Sequence, residues 1–153
     1  MKLDSRLSSA LHLLLHMAET DEPTTSEVLS RYLATHPVVV RRAMAGLREA
    51  GIVRSGKGHG GGWTLARALG AITLLEVYRA LGAPALFALG NREEKPRCLV
   101  EQAVNASLDD AFREAEALLV GRLGEITLAD IAADFRVRMK NHQSVCGEKH
   151  DAA

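Results

Sequence analysis

The stretch Gly56-Lys57-Gly58-His59-Gly60-Gly61-Gly62-Trp63-Thr64-Leu65, preceded by Gly51-Ile52-Val53-Arg54, constrains the fold more than any other part of the chain. It reads as a short strand, a glycine tip and a returning strand. A two-helix pattern ending at Ala50-Gly51 stands directly before it. Two short helices followed by a basic, glycine-tipped hairpin make a winged helix-turn-helix, a shape that sets a helix in one DNA groove and a loop in the next. Gly56, Gly58 and Gly61 also match Gly-x-Gly-x-x-Gly, the dinucleotide fingerprint. That fingerprint needs a helix straight after the glycines, because the helix N-terminus holds the pyrophosphate. Here the strand-like Trp63-Thr64-Leu65 follows, and no βαβ unit surrounds it. The dinucleotide reading fails on context, which leaves a purely structural hairpin as the bland alternative to a DNA wing.

Helical spacing organises the rest. Leu3, Leu7, Ala10, Leu11, Leu14 and Met17/Ala18 predict a first amphipathic helix up to about Glu19. Thr24 and Glu27 have capping-box spacing ahead of a second helix, Ser26 to about Ala34, with Val28, Leu29 and Tyr32/Leu33 inward. Pro37 suits the first position of a third helix, which Gly51 closes. That helix turns Val40, Ala43, Met44 and Leu47 to the core and Val38, Arg41, Arg42, Ala45 and Arg48 to water. Thr73 and Glu76 form a second capping box, opening a helix to Leu81. Ala85 to Pro96, with the cluster Asn91-Arg92-Glu93-Glu94-Lys95, is expected as an exposed loop. From Arg97 a long apolar stripe runs through Val100, Val104, Leu108, Ala111/Phe112, Ala115, Leu118/Leu119 and Leu123. No intrachain segment matches its length, which points to a helix packed on its twin in a dimer, with packing on its own domain as the alternative. Ile126-Thr127-Leu128 echoes Ile72-Thr73-Leu74 and starts a last helix, to about Met139. The expected fold is mainly α with a small β-hairpin wing. A head spans residues 1–82, loop, dimerisation helix and closing helix span 83–139, and a flexible tail spans 140–153.

The formal net charge is +0 and hydrophobic residues make up 47%, so neither a general nucleic-acid coat nor a disordered chain is expected. Charge distribution is more telling than its sum. From His36 to Arg67 the bases are Arg41, Arg42, Arg48, Arg54, Lys57 and Arg67 against one acid, Glu49; acids prevail from Ala68 to Phe135. A basic patch on an acidic body suits a selective DNA binder. Two cysteines, Cys98 and Cys146, make no disulfide framework, and the N-terminus is too polar for a signal peptide or membrane span, so a cytoplasmic protein is expected.

Ala50-Gly51-Ile52-Val53-Arg54-Ser55, Gly58 through Arg67, Ile72-Thr73-Leu74-Leu75-Glu76-Val77 and Leu123 through Asp130 together resemble the Rrf-two family of bacterial winged-helix regulators, over nearly the whole span from Leu3 to about Phe135. The resemblance implies a homodimer joined by the long helix, through Val104, Leu108, Phe112, Ala115 and Leu119. Two heads would read a palindromic double-stranded DNA operator, most often as a repressor. It implies base-reading positions at His36, Val38, Arg41 and Arg42, and a wing of Lys57 and His59 with Lys57 at the minor groove. Arginine is the usual wing-tip residue; lysine keeps the phosphate attraction but weakens the case for sharp minor-groove readout.

Many members of that family hold an iron–sulfur cluster through three cysteines around the start of the long helix. At one frequent spacing the partners of Cys98 would fall on Arg92 and Val104, neither of them a ligand, and Cys146 is far away. Clusters of this kind need thiolates, so no cofactor is expected. The chain resembles the cluster-free branch, some members of which sense oxidants through one thiol. Cys98, at a helix start beside Arg97, Lys95 and Arg92, is the candidate, with a small buried residue as the alternative. His12 and His16, one helical turn apart, lack a Glu or Asp in the register of a metal site. An enzyme would need a nucleophile, base and orienter or a metal site; Cys98 is the only reactive candidate, and no histidine sits near it in sequence. A winged-helix adaptor that binds protein instead of DNA would be favoured if Arg41, Arg42 and Lys57 were buried or ion-paired. A regulator answering to a small ligand is the further alternative.

Overall fold

A computed structural model of the protein describes residues 4–147; Leu3 and tail residues 148–153 lie outside them. The chain runs α1 (Arg6–Ala18), α2 (Ser26–Tyr32), α3 (Pro37–Glu49), β1 (Val53–Ser55), β2 (Trp63–Leu65), a single 3-10 turn at Leu69–Ala71, α4 (Leu74–Ala80), α5 (Leu99–Glu125) and α6 (Leu128–Gly147). Mainly helical, with a two-stranded antiparallel hairpin, it has the expected fold class.

One apolar core holds the head together. Leu13 and Leu14 of α1, Leu29 of α2, Val40, Met44 and Leu47 of α3, Ile52, Val53, Ile72 and Val77 are all essentially inaccessible. The third helix thus buries the predicted face. At Gly46 a Cβ would stand 2.5 Å from the Ala80 carbonyl oxygen, so only glycine lets α3 cross α4 this closely. Two expectations for α2 fail. Tyr32 is exposed instead of buried, because its ring stacks on His16 of α1 with centroids 3.9 Å apart, and Val28 is also exposed. The cap is Thr25, whose hydroxyl accepts from the Val28 amide at 3.3 Å. Thr24, the expected cap, is drawn into the sheet instead. Its amide donates to the Trp63 carbonyl at 3.0 Å and its carbonyl accepts from the Trp63 amide at 2.9 Å.

The repeated Ile-Thr-Leu has a structural purpose that its repetition alone did not disclose. Thr73 and Thr127 face each other as an antiparallel bridge, with the Leu74 amide donating to the Ile126 carbonyl at 2.9 Å and Leu128 returning a bond to Ile72 at 3.0 Å. Each threonine also caps its own helix, Thr73 with Glu76 and Thr127 with Asp130. Leu128, fully buried, thereby belongs to the core of the head. The last helix runs beyond Met139 to Gly147. No proline or glycine interrupts Leu128 to Cys146, so the sequence has no backbone signal that would end the helix at Met139.

The capping box at α4 is anchored further by Arg67, whose guanidinium meets Glu76 at 2.9 Å and the Ala71 carbonyl at 3.2 Å. The Thr73 amide chiefly, and then Arg67, hold the Glu76 carboxyl below its ordinary value. A depressed carboxyl stabilises the fold above its unfolded value and loses that contribution as pH falls through its folded one. Glu76→Gln should therefore be less stable than the parent near pH 7, and the gap should close as pH drops below the ordinary glutamate value of 4.5. Urea titrations at pH 7 and at acid pH measure both.

Candidate nucleic-acid interface

The reading helix begins at a cap. His36 is its N-cap, with Nδ1 accepting from the Val38 amide at 3.2 Å, and Pro37 fills the first turn without wasting an amide. With Nδ1 engaged, the ring proton sits on Nε2, a donor suited to an acceptor such as guanine N7. Arg41, Arg42 and Arg48 project from the face opposite the buried Val40, Met44 and Leu47, and all three are exposed. Val38 is half-buried, whereas Val39 is 53% exposed, so the accessible apolar contact of the first turn is Val39. Sequence periodicity missed this because the first turn of α3 packs under the tight junction with α2.

Directly after α3, Gly51 at φ 71° turns the chain into β1, which pairs with β2 in the register Val53↔Leu65, Arg54↔Thr64 and Ser55↔Trp63. The hairpin is fixed to the helices at its base. Trp63 pairs with Thr24, and its indole Nε1 donates to Ser26 Oγ at 2.9 Å. Gly62 makes this possible: at φ 156°, with the Thr24 backbone 2.9 Å from where a Cβ would be, no other residue fits. Lys57 and His59 sit exposed at the tip, and Arg54 is exposed on β1. Among the described residues no ion pair engages Arg41, Arg42, Arg48, Arg54 or Lys57. Arg67 is the exception in the predicted basic set, since Glu76 neutralises it. Five cations on one helix and the wing next to it are thus exposed and outside any ion pair among the described residues, not buried or paired as the adaptor reading requires.

The long helix has the opposite character. Of its 27 residues only Asn105 is buried. Its apolar band is wider than its own neighbours cover. One flank meets α4 and the preceding loop, where Phe112 stacks on Phe87 with centroids 6.3 Å apart and Leu108 and Leu119 are about one-third exposed. The other flank, Val100, Val104, Ala111, Ala115 and Leu118, is open to water, Leu118 at 77%. The loop before the helix is largely exposed, as expected, yet tied to it. Arg92 pairs with Glu101 at 2.9 Å, Asn91 with Asp109 at 2.8 Å, and Asn105 donates to the Glu93 carbonyl at 2.7 Å. Cys98 is exposed and stands as the N-cap of α5 without a side-chain capping bond. Of its expected cationic neighbours, Arg92 is spent on Glu101.

The family model described as "Rrf2: Iron-dependent Transcriptional regulator" matches residues 3–134. The chain belongs to the Rrf2 family. It is 35% identical over 130 residues to the Bacillus subtilis (strain 168) protein named "Putative HTH-type transcriptional regulator YwnA", covering 84% of this chain and 96% of that one. A solved structure described as a "putative DNA binding protein" superposes with a TM-score of 0.67 at 33% identity, covering 83% of this chain and 98% of that one. A Lactobacillus plantarum transcriptional regulator, also styled putative, shares the fold at a TM-score of 0.74 and 22% identity, covering 99% of this chain and all of that one. The protein is accordingly an Rrf2-family transcriptional regulator and not an enzyme. Among the described residues no helix is long and apolar enough to cross a membrane.

The family's iron invites a test against the residues present. Around the start of α5 stands one thiol, Cys98, with Arg92 in an ion pair and Val104 apolar and half-exposed where further ligands would fall. Among the described residues no group of three or more His, Cys, Asp or Glu could hold a metal ion. A thiolate-bound cluster does not fit this donor set.

Proposed function

We propose that this protein is a homodimeric repressor that reads a palindromic operator in the cytoplasm, with residues 1–82 forming the DNA-reading head and residues 83–139 the dimer-forming part. The observation that carries the reading is the set of exposed, unpaired cations Arg41, Arg42, Arg48, Arg54 and Lys57, all on α3 and the wing that follows it. His36, Arg41 and Arg42 read base edges in the major groove, with Val38 or its exposed neighbour Val39 against a thymine methyl. Lys57 and His59 hold the flanking phosphates and groove. Dimerisation goes through the band that includes Val104, Leu108, Phe112, Ala115 and Leu119, supported by the uncovered flank of α5. Arg41→Ala should cost about 1–3 kcal/mol of operator binding and relax sequence preference. Lys57→Ala should weaken all sequences alike and reduce the salt slope by about one unit. Fluorescence anisotropy at several salt concentrations reads both, and unchanged affinity in both variants would remove the groove assignment.

Cys98 is the proposed signal input, supported by its exposure at the root of the dimer helix. Oxidation there would change packing at the junction that sets the separation of the two heads. Peroxide should release the protein from DNA, a thiol reductant should restore binding, and Cys98→Ser should stay bound. A Ser variant as sensitive as the parent would place the input elsewhere. An open cleft of about 760 Å³ between α1 and the start of α3, bounded by Arg6, Ser9, Thr35, Val39 and Arg42, then favours a small ligand as the signal.

A further inference from the structure

We propose that His12 and His16 form a two-imidazole binding site for a borderline divalent cation of the zinc class, at the groove between α1 and α6. The two Nε2 atoms are 2.9 Å apart across one turn of α1. Two nitrogens sharing a tetrahedral zinc at 2.0–2.1 Å each lie about 3.3 Å apart, so seating an ion needs the two atoms to part by a few tenths of an ångström and the rings to turn until both lone pairs converge on it. Histidines at i and i+4 on one helix face are a known bidentate arrangement for zinc. Here Leu13, Leu14 and Leu15 fill the turn between them, so the glutamate that follows the first histidine in hydrolytic zinc helices is replaced by leucine.

Two further observations prepare the pair for a cation. The His16 ring stacks on Tyr32, centroids 3.9 Å apart and within 9° of parallel, which places it beside the groove. The groove beside it, about 300 Å³, is lined by Leu15, Ile131 and Phe135 with Glu19, Asp134 and Arg138. Arg138 pairs with Asp134 at 2.7 Å, so Glu19, one turn beyond His16, is the carboxylate left to attract a cation, and the apolar side chains limit its hydration. No third donor completes a three-residue set among the described residues, so water fills the remaining positions. In the free protein the two rings share one N–H···N bond. On binding, the donor ring keeps its proton by moving it to Nδ1, and both Nε2 lone pairs face the ion with no net proton released. Because Tyr32 lies on α2, the first helix of the helix-turn-helix, an occupied site would stiffen the junction of α1 with the reading head. This site is independent of any cluster and of the DNA-reading surface.

The test uses the tag-free full chain with both cysteines replaced, Cys98→Ser and Cys146→Ser, so that thiolates cannot bind the metal. Zinc is titrated against a chromophoric chelator. The expected result is one zinc per chain, weakened more than about tenfold in His12→Gln and in His16→Gln, since even outer-shell changes cost 10–100-fold. Zinc should also shift the Cε1–H proton resonances of these two histidines and of no others. His12 is exposed, so His12→Gln should fold as the parent does, and equal metal-free thermal midpoints check it. Absence of zinc binding, or binding unchanged in His12→Gln, overturns the site.

Discussion

Leu118→Glu should turn a dimer into a monomer in sedimentation and lower operator affinity by roughly 10²–10⁴-fold, the range lost when two linked binding units become one. The position is chosen by exposure. Leu118 is 77% accessible in the single chain and touches no part of the core, so a carboxylate there costs the protomer almost nothing. Across a two-fold axis the same carboxylate would meet its twin in an apolar band, unpaired and desolvated. Leu108 and Leu119 are weaker probes because each is about two-thirds covered within its own protomer, where a charge would disturb the fold as well. A Leu118→Glu protein with normal thermal stability that still sediments as a dimer would refute the α5 arrangement.

Leu128→Ala should cost about 2–5 kcal/mol, the usual range for deleting a fully buried leucine. For a chain of this size that lowers the thermal midpoint by roughly 4–20 °C, a large share of a total stability of about 5–15 kcal/mol. The size of the effect rests on where Leu128 lies. Although it starts the last helix, it is sealed in the core of the head, and its amide holds the Ile72 carbonyl at 3.0 Å. Were α6 only a peripheral strap, the loss would be under about 1 kcal/mol and unfolding would be detected first in α6 alone. Calorimetry of the variant, with hydrogen exchange at Ile126 to Ala132, distinguishes a cooperative loss from local fraying.

Local pattern in the chain disclosed the parts built from local rules. The amphipathic stripes of α1 and α3, Pro37 at the helix start, the Thr73–Glu76 box and the glycine hairpin all follow from spacing of a few residues, and all are present. Long-range pairing was out of reach. Thr24 looked like a helix cap because capping-box spacing is local, whereas its backbone is taken by Trp63, 39 residues along. The two Ile-Thr-Leu segments were recognisable as an echo, yet 54 residues separate Thr73 from Thr127 and nothing local says that they pair. Periodicity points Tyr32 inward, whereas the stack on His16 turns it out. At the candidate site the basic residues were legible by type, but which of them are free was not. Arg67 is consumed by Glu76, and only the three-dimensional arrangement reveals that.

Selection of bound duplexes from a random pool by the purified protein, followed by anisotropy on the winning sequence, tests the central claim most directly. The account predicts a two-fold symmetric motif whose half-sites lie about 10–10.5 base pairs apart or a multiple of that, bound by one dimer and lost in the double variant Arg41→Ala, Arg42→Ala. A pool that shows no enrichment, or a motif bound equally well by that double variant, would contradict it.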